Sequence, residues 1–158
     1  MKLNVDISDA KVSSKVDDVI ATYCLGSCIG VTAYDPLAKV GGLLHFQLPS
    51  SRTDHRRSEQ KPYMFADTGM KLMLSSLTSM GADAKKLKIK LAGGAAMLND
   101  NCATNIGKRN YASIRQLLWK LGLFIEKEDC GGSLPRNLSL NVGDGAVAVK
   151  INGKEKRL

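Results

Sequence analysis

A thiol and an imidazole seventeen residues apart, Cys28 and His45, are a pair in this chain with the chemistry of a nucleophile and its base. The stretch Ala21–Phe46, ATYCLGSCIGVTAYDPLAKVGGLLHF, holds both of them and a second cysteine, Cys24. A histidine within hydrogen-bond reach of a cysteine can take the thiol proton, and the resulting thiolate attacks carbonyl carbon. Whether the two side chains meet depends on how the stretch folds. Ser27–Tyr34 and Lys39–Leu48 read as strands, and between them Asp35 and Pro36 suit the first two positions of a tight turn. A two-residue turn centred between Pro36 and Leu37 sets Cys28 directly opposite His45, which brings their Cβ atoms to about 4.5–5.5 Å. A slip of one residue, for which Gly41 and Gly42 offer a bulge, turns His45 to the other face. The plainer alternatives stay open: Cys28 as a small buried hydrophobe and His45 as a packed or surface residue.

The elements around this hairpin follow from periodicity. Ala66, Met70, Met73, Leu74 and Leu77 recur at helical spacing before Gly81, which predicts a helix over about Tyr63–Met80. Ile114, Leu117, Leu118 and Leu121 form a second stripe, with Asn110 as its cap and Gly122 as its stop, which predicts a helix over Tyr111–Leu121. KLKIKL alternates as a strand with one wet face, LFIEKEDC reads as the next strand, and Leu138–Val142 with Val147–Ile151 reads as a hairpin around GDG. Pro49–Pro62 is polar and basic and reads as a loop, His55 included. The sum is an α+β fold: residues 1–158 as one layered sandwich domain with a largely antiparallel or mixed sheet and two main helices.

Composition narrows the function classes. The 158 residues are 44% hydrophobic and 24% charged, which suits a globular chain and excludes collagen-like, coiled-coil and disordered classes. MKLNVDISDAK carries acids where a signal peptide needs an apolar core, and no apolar run reaches the roughly 20 residues that span a bilayer, so a cytoplasmic protein without membrane insertion is expected. Cys24, Cys28, Cys102 and Cys130 form no CxxC pair and no zinc spacing, so no metal is expected and free thiols are the default. A net charge of +8 from 23 basic and 15 acidic side chains invites an acidic partner. Nucleic acid is disfavoured, because aromatics are only 5% and no nucleic-acid-binding motif accompanies the basic clusters. Gly26, Ser27, Cys28, Ile29 and Gly30 also fit the G-x-[SC]-x-G nucleophile elbow, but only 25 residues precede Gly26 and no histidine comes late in the chain, which argues against an elbow fold.

Four blocks in order, LGSCIGVTAYDPLAKVGGLLHFQLP at 25–49, PYMFADTGMKLML at 62–74, KLAGGAAML at 90–98 and NIGKRN at 105–110, resemble the chemoreceptor glutamine deamidases called CheD. The family pattern places a threonine six residues before its cysteine and a histidine seventeen after it, and Thr22, Cys28 and His45 stand at those separations. The resemblance implies a cysteine hydrolase that converts particular glutamines of methyl-accepting chemoreceptors to glutamate and can hydrolyse glutamate methyl esters there. Cys28 is then the nucleophile, His45 the base and later the acid, and Thr22 the group that orients the imidazole, with a plain strand threonine as its alternative. Backbone N–H groups near Gly26 and Ser27 would form the oxyanion hole. No cofactor is implied. The resemblance also implies a second partner, a CheC-type phosphatase, and with it the alternative of a non-catalytic adaptor. Lys108, Arg109 and Asn110 fall in the GKRN block and are expected to face a substrate or partner carboxylate; equally, Asn110 caps a helix and the two cations are solvated. Cys24 departs from the pattern, which usually has a small residue, often glycine, at that place.

Overall fold

The computed structural model describes residues 1–97 and 105–158. Among the described residues ten strands form two five-stranded sheets. In the first, β1 (Lys2–Val5), β3 (Val19–Leu25), β8 (Arg136–Asn141), β9 (Val147–Ile151) and β10 (Lys154–Arg157) lie in that order. In the second the order is β2 (Asp9–Ser13), β5 (Val40–Phe46), β4 (Ile29–Asp35), β6 (Lys88–Gly93) and β7 (Ile125–Cys130). Each sheet is mixed and largely antiparallel, with one parallel pair, β1 on β3 and β6 on β7. The expected α+β sandwich is therefore present, as two sheets in place of one.

The second sheet is the middle layer, which explains its sequence. Every residue of β4 and β5 is buried, so neither strand shows the polar alternation of a half-wet strand. One face carries Ile29, Val31, Leu44 and Phe46 against Met70, Met73, Leu77, Ile114 and Leu118 of the helices. The other face carries Leu43 and the half-buried Cys28 into the inter-sheet core with Ile20, Leu25, Leu138 and Leu140.

The helices are α1 (His55–Gln60), α2 (Ala66–Ser79) and α3 (Ile106–Lys120). The polar stretch 49–62 is not a plain loop: it contains α1, capped by the Asp54 carboxylate accepting from the Arg57 N–H, and the 3₁₀ turn Ser51–Thr53. The helix expected to start at Tyr63 starts at Ala66, because Pro62–Met64 closes a separate 3₁₀ turn. The helix expected at Tyr111 begins five residues earlier, and Asn110, cast as its cap, sits inside it. Gly26–Gly30 joins strand to strand, whereas a nucleophile elbow joins strand to helix, so no elbow exists.

Candidate active site

The β4–β5 turn is longer than its sequence suggests, and this resets the register. The Asp35 carboxylate accepts from the N–H groups of both Leu37 and Ala38, and Lys39, in the left-handed region at φ 54, donates its N–H to the Asp35 carbonyl at 2.9 Å. A four-residue loop results, and Asp35 pairs with Val40. Gly30, not Cys28, therefore lies directly opposite His45. The offset from the expected register is two residues. Side chains alternate with period two, so Cys28 and His45 still share the inter-sheet face, as diagonal neighbours. Gly30 presents no side chain between them.

His45 is held from the first sheet. Its Nδ1 lies 2.8 Å from Thr22 Oγ1, and the same hydroxyl donates to the Val5 carbonyl at 2.8 Å. Thr22 has one hydroxyl proton and a carbonyl can only accept. The proton therefore goes to Val5, and Thr22 must accept from the His45 Nδ1–H. That fixes the tautomer: Nε2 carries the lone pair. Nε2 is buried with no hydrogen-bond partner among the described residues, so the Cys28 thiol is not hydrogen-bonded to it in this state.

The turn that carries Cys28 is pinned through three successive carbonyls. Gly26 accepts from the Ala95 N–H at 2.8 Å, Ser27 from the Asn110 side-chain amide at 2.9 Å, and Cys28 from the Gly94 N–H at 2.8 Å. Asn110 is fully buried and its amide also reaches the Gln47 carbonyl at 3.0 Å, tying the turn that carries Cys28 to the residue two beyond His45. Gly93 must be glycine: its φ is +113 and a Cβ there would stand 2.3 Å from the Cys28 carbonyl oxygen.

Burial favours the neutral form of both Cys28 and His45. It pushes the Cys28 thiol up to about 11, against the opposing pull of its own backbone N–H. It pushes the His45 imidazole down to about 4, against the carboxylates of Asp6 and Asp9, which act the other way. A preformed thiolate–imidazolium pair is the charged state that this desolvation disfavours.

The family model described as CheD chemotactic sensory transduction matches residues 47–151. A protein of Solibacter usitatus named "Probable chemoreceptor glutamine deamidase CheD" is 42% identical over 98% of this chain and 91% of its own length. Similarly named proteins of Syntrophus aciditrophicus and Methanococcus maripaludis are 44% identical over 94% of this chain and 93% of theirs, and 37% identical over 100% of both. The chain belongs to the CheD family. The matched span of the family model begins after His45, so for Thr22, Cys28 and His45 the full-length likeness to CheD relatives is the relevant one.

The remaining CheD-block residues fall into two groups. Lys108 and Arg109 are exposed in the first turn of α3, whereas Asn110 on the same turn is buried and faces main-chain carbonyls. Cys24, where CheD sequences usually carry a small residue, is exposed and left-handed at φ 57, within a bulge where Thr22 pairs with Leu138 and Leu25 with Arg136. That conformation favours glycine. Cys24, Cys28 and Cys130 are free thiols, and Cys102 lies outside the described residues. His55 is the first residue of α1 and is exposed. Residue spacing did not reveal Val5, Gly93 or the positioning role of Asn110. Their contributions are a main-chain acceptor, an absent side chain and a contact between distant segments.

Proposed function

We propose that this chain, as one CheD-type cysteine hydrolase domain spanning residues 1–158, deamidates specific glutamine side chains of methyl-accepting chemoreceptors, with Cys28 as nucleophile, His45 as base and acid, and Thr22 as the residue that orients His45. The observation that carries the reading is the directed chain Val5 carbonyl, Thr22 hydroxyl, His45 Nδ1–H, which leaves an Nε2 lone pair on the face that bears the Cys28 thiol. The names of the full-length relatives supply the substrate class.

The reaction balances with these groups and water alone. As the glutamine amide approaches, the thiol proton passes to Nε2 while sulfur bonds to the amide carbon, giving a tetrahedral oxyanion. The carbonyls of Gly26, Ser27 and Cys28 are turned to Ala95, Asn110 and Gly94, so the N–H edge of that turn, Gly26 and Ser27 included, is directed to the oxyanion; one such donor is worth about 3 kcal/mol. His45 then protonates the departing ammonia, and water activated by Nε2 cleaves the thioester to release glutamate and the thiol. A glutamate methyl ester enters the same sequence with methanol as leaving group. Catalytic hydrogen bonds commonly tighten only when substrate binds, which fits the unpartnered Nε2.

No helix among the described residues is long and apolar enough to cross a membrane. We place the protein in the cytoplasm, with the receptor as protein substrate, a CheC-type phosphatase as second partner and no nucleic-acid role. The exposed Lys108 and Arg109 beside the buried Asn110 are the surface we assign to partner carboxylates. The test is peptide mass spectrometry of a receptor cytoplasmic fragment incubated with wild type, Cys28→Ala and His45→Ala. Glutamine-to-glutamate conversion lost in both variants supports the dyad. Conversion surviving Cys28→Ala refutes the mechanism, and no conversion by folded wild type, with phosphatase stimulation intact in Cys28→Ala, leaves the adaptor.

A further inference from the structure

We infer that a basic groove along α3 is a second substrate contact, holding an acidic segment of the protein whose glutamine enters the Cys28 site; the inference rests on the deamidase reading and adds to it. The groove has a volume of about 640 Å³ and lies between the Pro49–Arg52 turn, α2 and α3. Arg52, Lys71 and Lys120 line it and are exposed, and none of the three is in an ion pair among the described residues. Asp67, the carboxylate among the described lining residues, is in no ion pair with them and accepts from the Ser51 N–H at 3.0 Å and from the Ser51 hydroxyl at 2.6 Å. Three cations against one carboxylate leave the groove with an excess of positive charge for a ligand.

Helix α3 links the groove to the turn that carries Cys28, whose thiol faces the other side of the middle sheet. Asn110 holds the Ser27 and Gln47 carbonyls, and one turn later Ser113 donates to the Pro49 carbonyl, where the groove begins. Arg109, Ser113, Gln116 and Lys120 then follow at helical spacing along one stripe. From Asn110 to Lys120 the helix rises about 15 Å. A helical substrate segment laid along it would bring carboxylates to Lys120 about ten residues from the modified glutamine. An acidic protein segment fits better than nucleic acid. Among the described lining residues no Phe, Tyr or Trp offers a stacking platform, and the deamidase reading on which the inference rests calls for a protein ligand.

The test uses two synthetic 24-residue peptides, each with one glutamine. One carries glutamates about ten residues away on both sides, and the other has serines there. Wild type is expected to favour the acidic peptide about tenfold in kcat/KM, through KM, with the preference falling as salt rises. Arg52→Glu/Lys71→Glu/Lys120→Glu is expected to abolish the preference, and the single changes Arg52→Gln, Lys71→Gln and Lys120→Gln to reduce it stepwise, with circular dichroism verifying the fold of each. No preference in wild type, or a preference that survives the triple change in folded protein, overturns the inference. Fluorescence anisotropy of the labelled acidic peptide on Cys28→Ala separates the two proposals. Groove-dependent binding without turnover defeats the deamidase reading alone, and turnover without acidic preference defeats the groove alone. Equal competition from a single-stranded DNA of matched charge also overturns the acidic-segment assignment, because it makes the groove a general polyanion surface.

Discussion

Protonating His45 should unfold the protein measurably, and the effect can be isolated. The imidazole is 1% exposed and depressed from its ordinary 6.5 to about 4 by burial. Between those values the unfolded chain binds a proton that the folded chain refuses. Stability is therefore fully present above pH 6.5 and is lost as pH falls towards 4. The size follows from 1.36 kcal/mol per unit of displacement and comes to about 3 kcal/mol by pH 4. Carboxylates such as Asp18, which Ser13 holds below the ordinary range, also destabilise the fold in acid, but equally in wild type and in His45→Gln. Urea unfolding of both proteins from pH 4 to 8 thus yields a difference in which His45 remains. That difference should shift by about 3 kcal/mol against wild type on acidification, and an NMR titration should place one of the two histidines near 4. A difference that stays flat, or a His45 midpoint at 6 or above, refutes the desolvated neutral imidazole and the tautomer argument that depends on it.

Four further outcomes follow from the same geometry. Thr22→Val, which keeps the shape but removes the acceptor of His45 Nδ1–H, should lower kcat by about 100-fold while KM holds, and Thr22→Ser should restore most of it. Gly93→Ala must displace the Cys28 carbonyl, so it should cost about 2 kcal/mol or more by thermal unfolding and abolish turnover. Asn110→Leu orphans the Ser27 and Gln47 carbonyls and should cost about 2–4 kcal/mol with a fall in kcat; an unaltered enzyme would remove Asn110 from the positioning machinery. Cys24→Gly relieves a left-handed cysteine and should raise Tm by about 2–4 °C with activity retained.

The fold was legible where periodicity speaks and illegible where main-chain chemistry decides. The β8–β9 hairpin and both long helices follow from apolar spacing, because each buries one face. β1 and β2 escaped, being short and half-exposed, yet β1 supplies the Val5 carbonyl that fixes Thr22. Asp35 and Pro36 signalled the turn, but its length was set by two N–H groups converging on one carboxylate, which no spacing rule contains. For Cys28 and His45 the period-two rule was forgiving: an error of two residues changes the partner and keeps the face. Asn110 was misread as a cap because the helix start was placed five residues late, where a polar residue at the edge of an apolar stripe has its usual meaning.

The neutral resting pair constrains how the enzyme can be selective. A thiol near 11 beside an imidazole near 4 gives almost no thiolate at neutral pH, so Cys28 should react slowly with iodoacetamide, and faster as pH rises towards 11. In the mechanism proposed above, proton transfer to Nε2 would become favourable only when the developing oxyanion meets the N–H edge of the Gly26–Cys28 turn, since that compensates the charge that burial penalises. Chemistry is then gated by correct placement of the amide, and placement depends on contacts remote from the sulfur, which is how binding energy distinguishes one glutamine among many. A kcat/KM that is level from about pH 5 to 9 is the signature of this neutral pair. A narrow bell centred between two near-neutral values would instead mean a preformed ion pair, and the burial argument would fall with it.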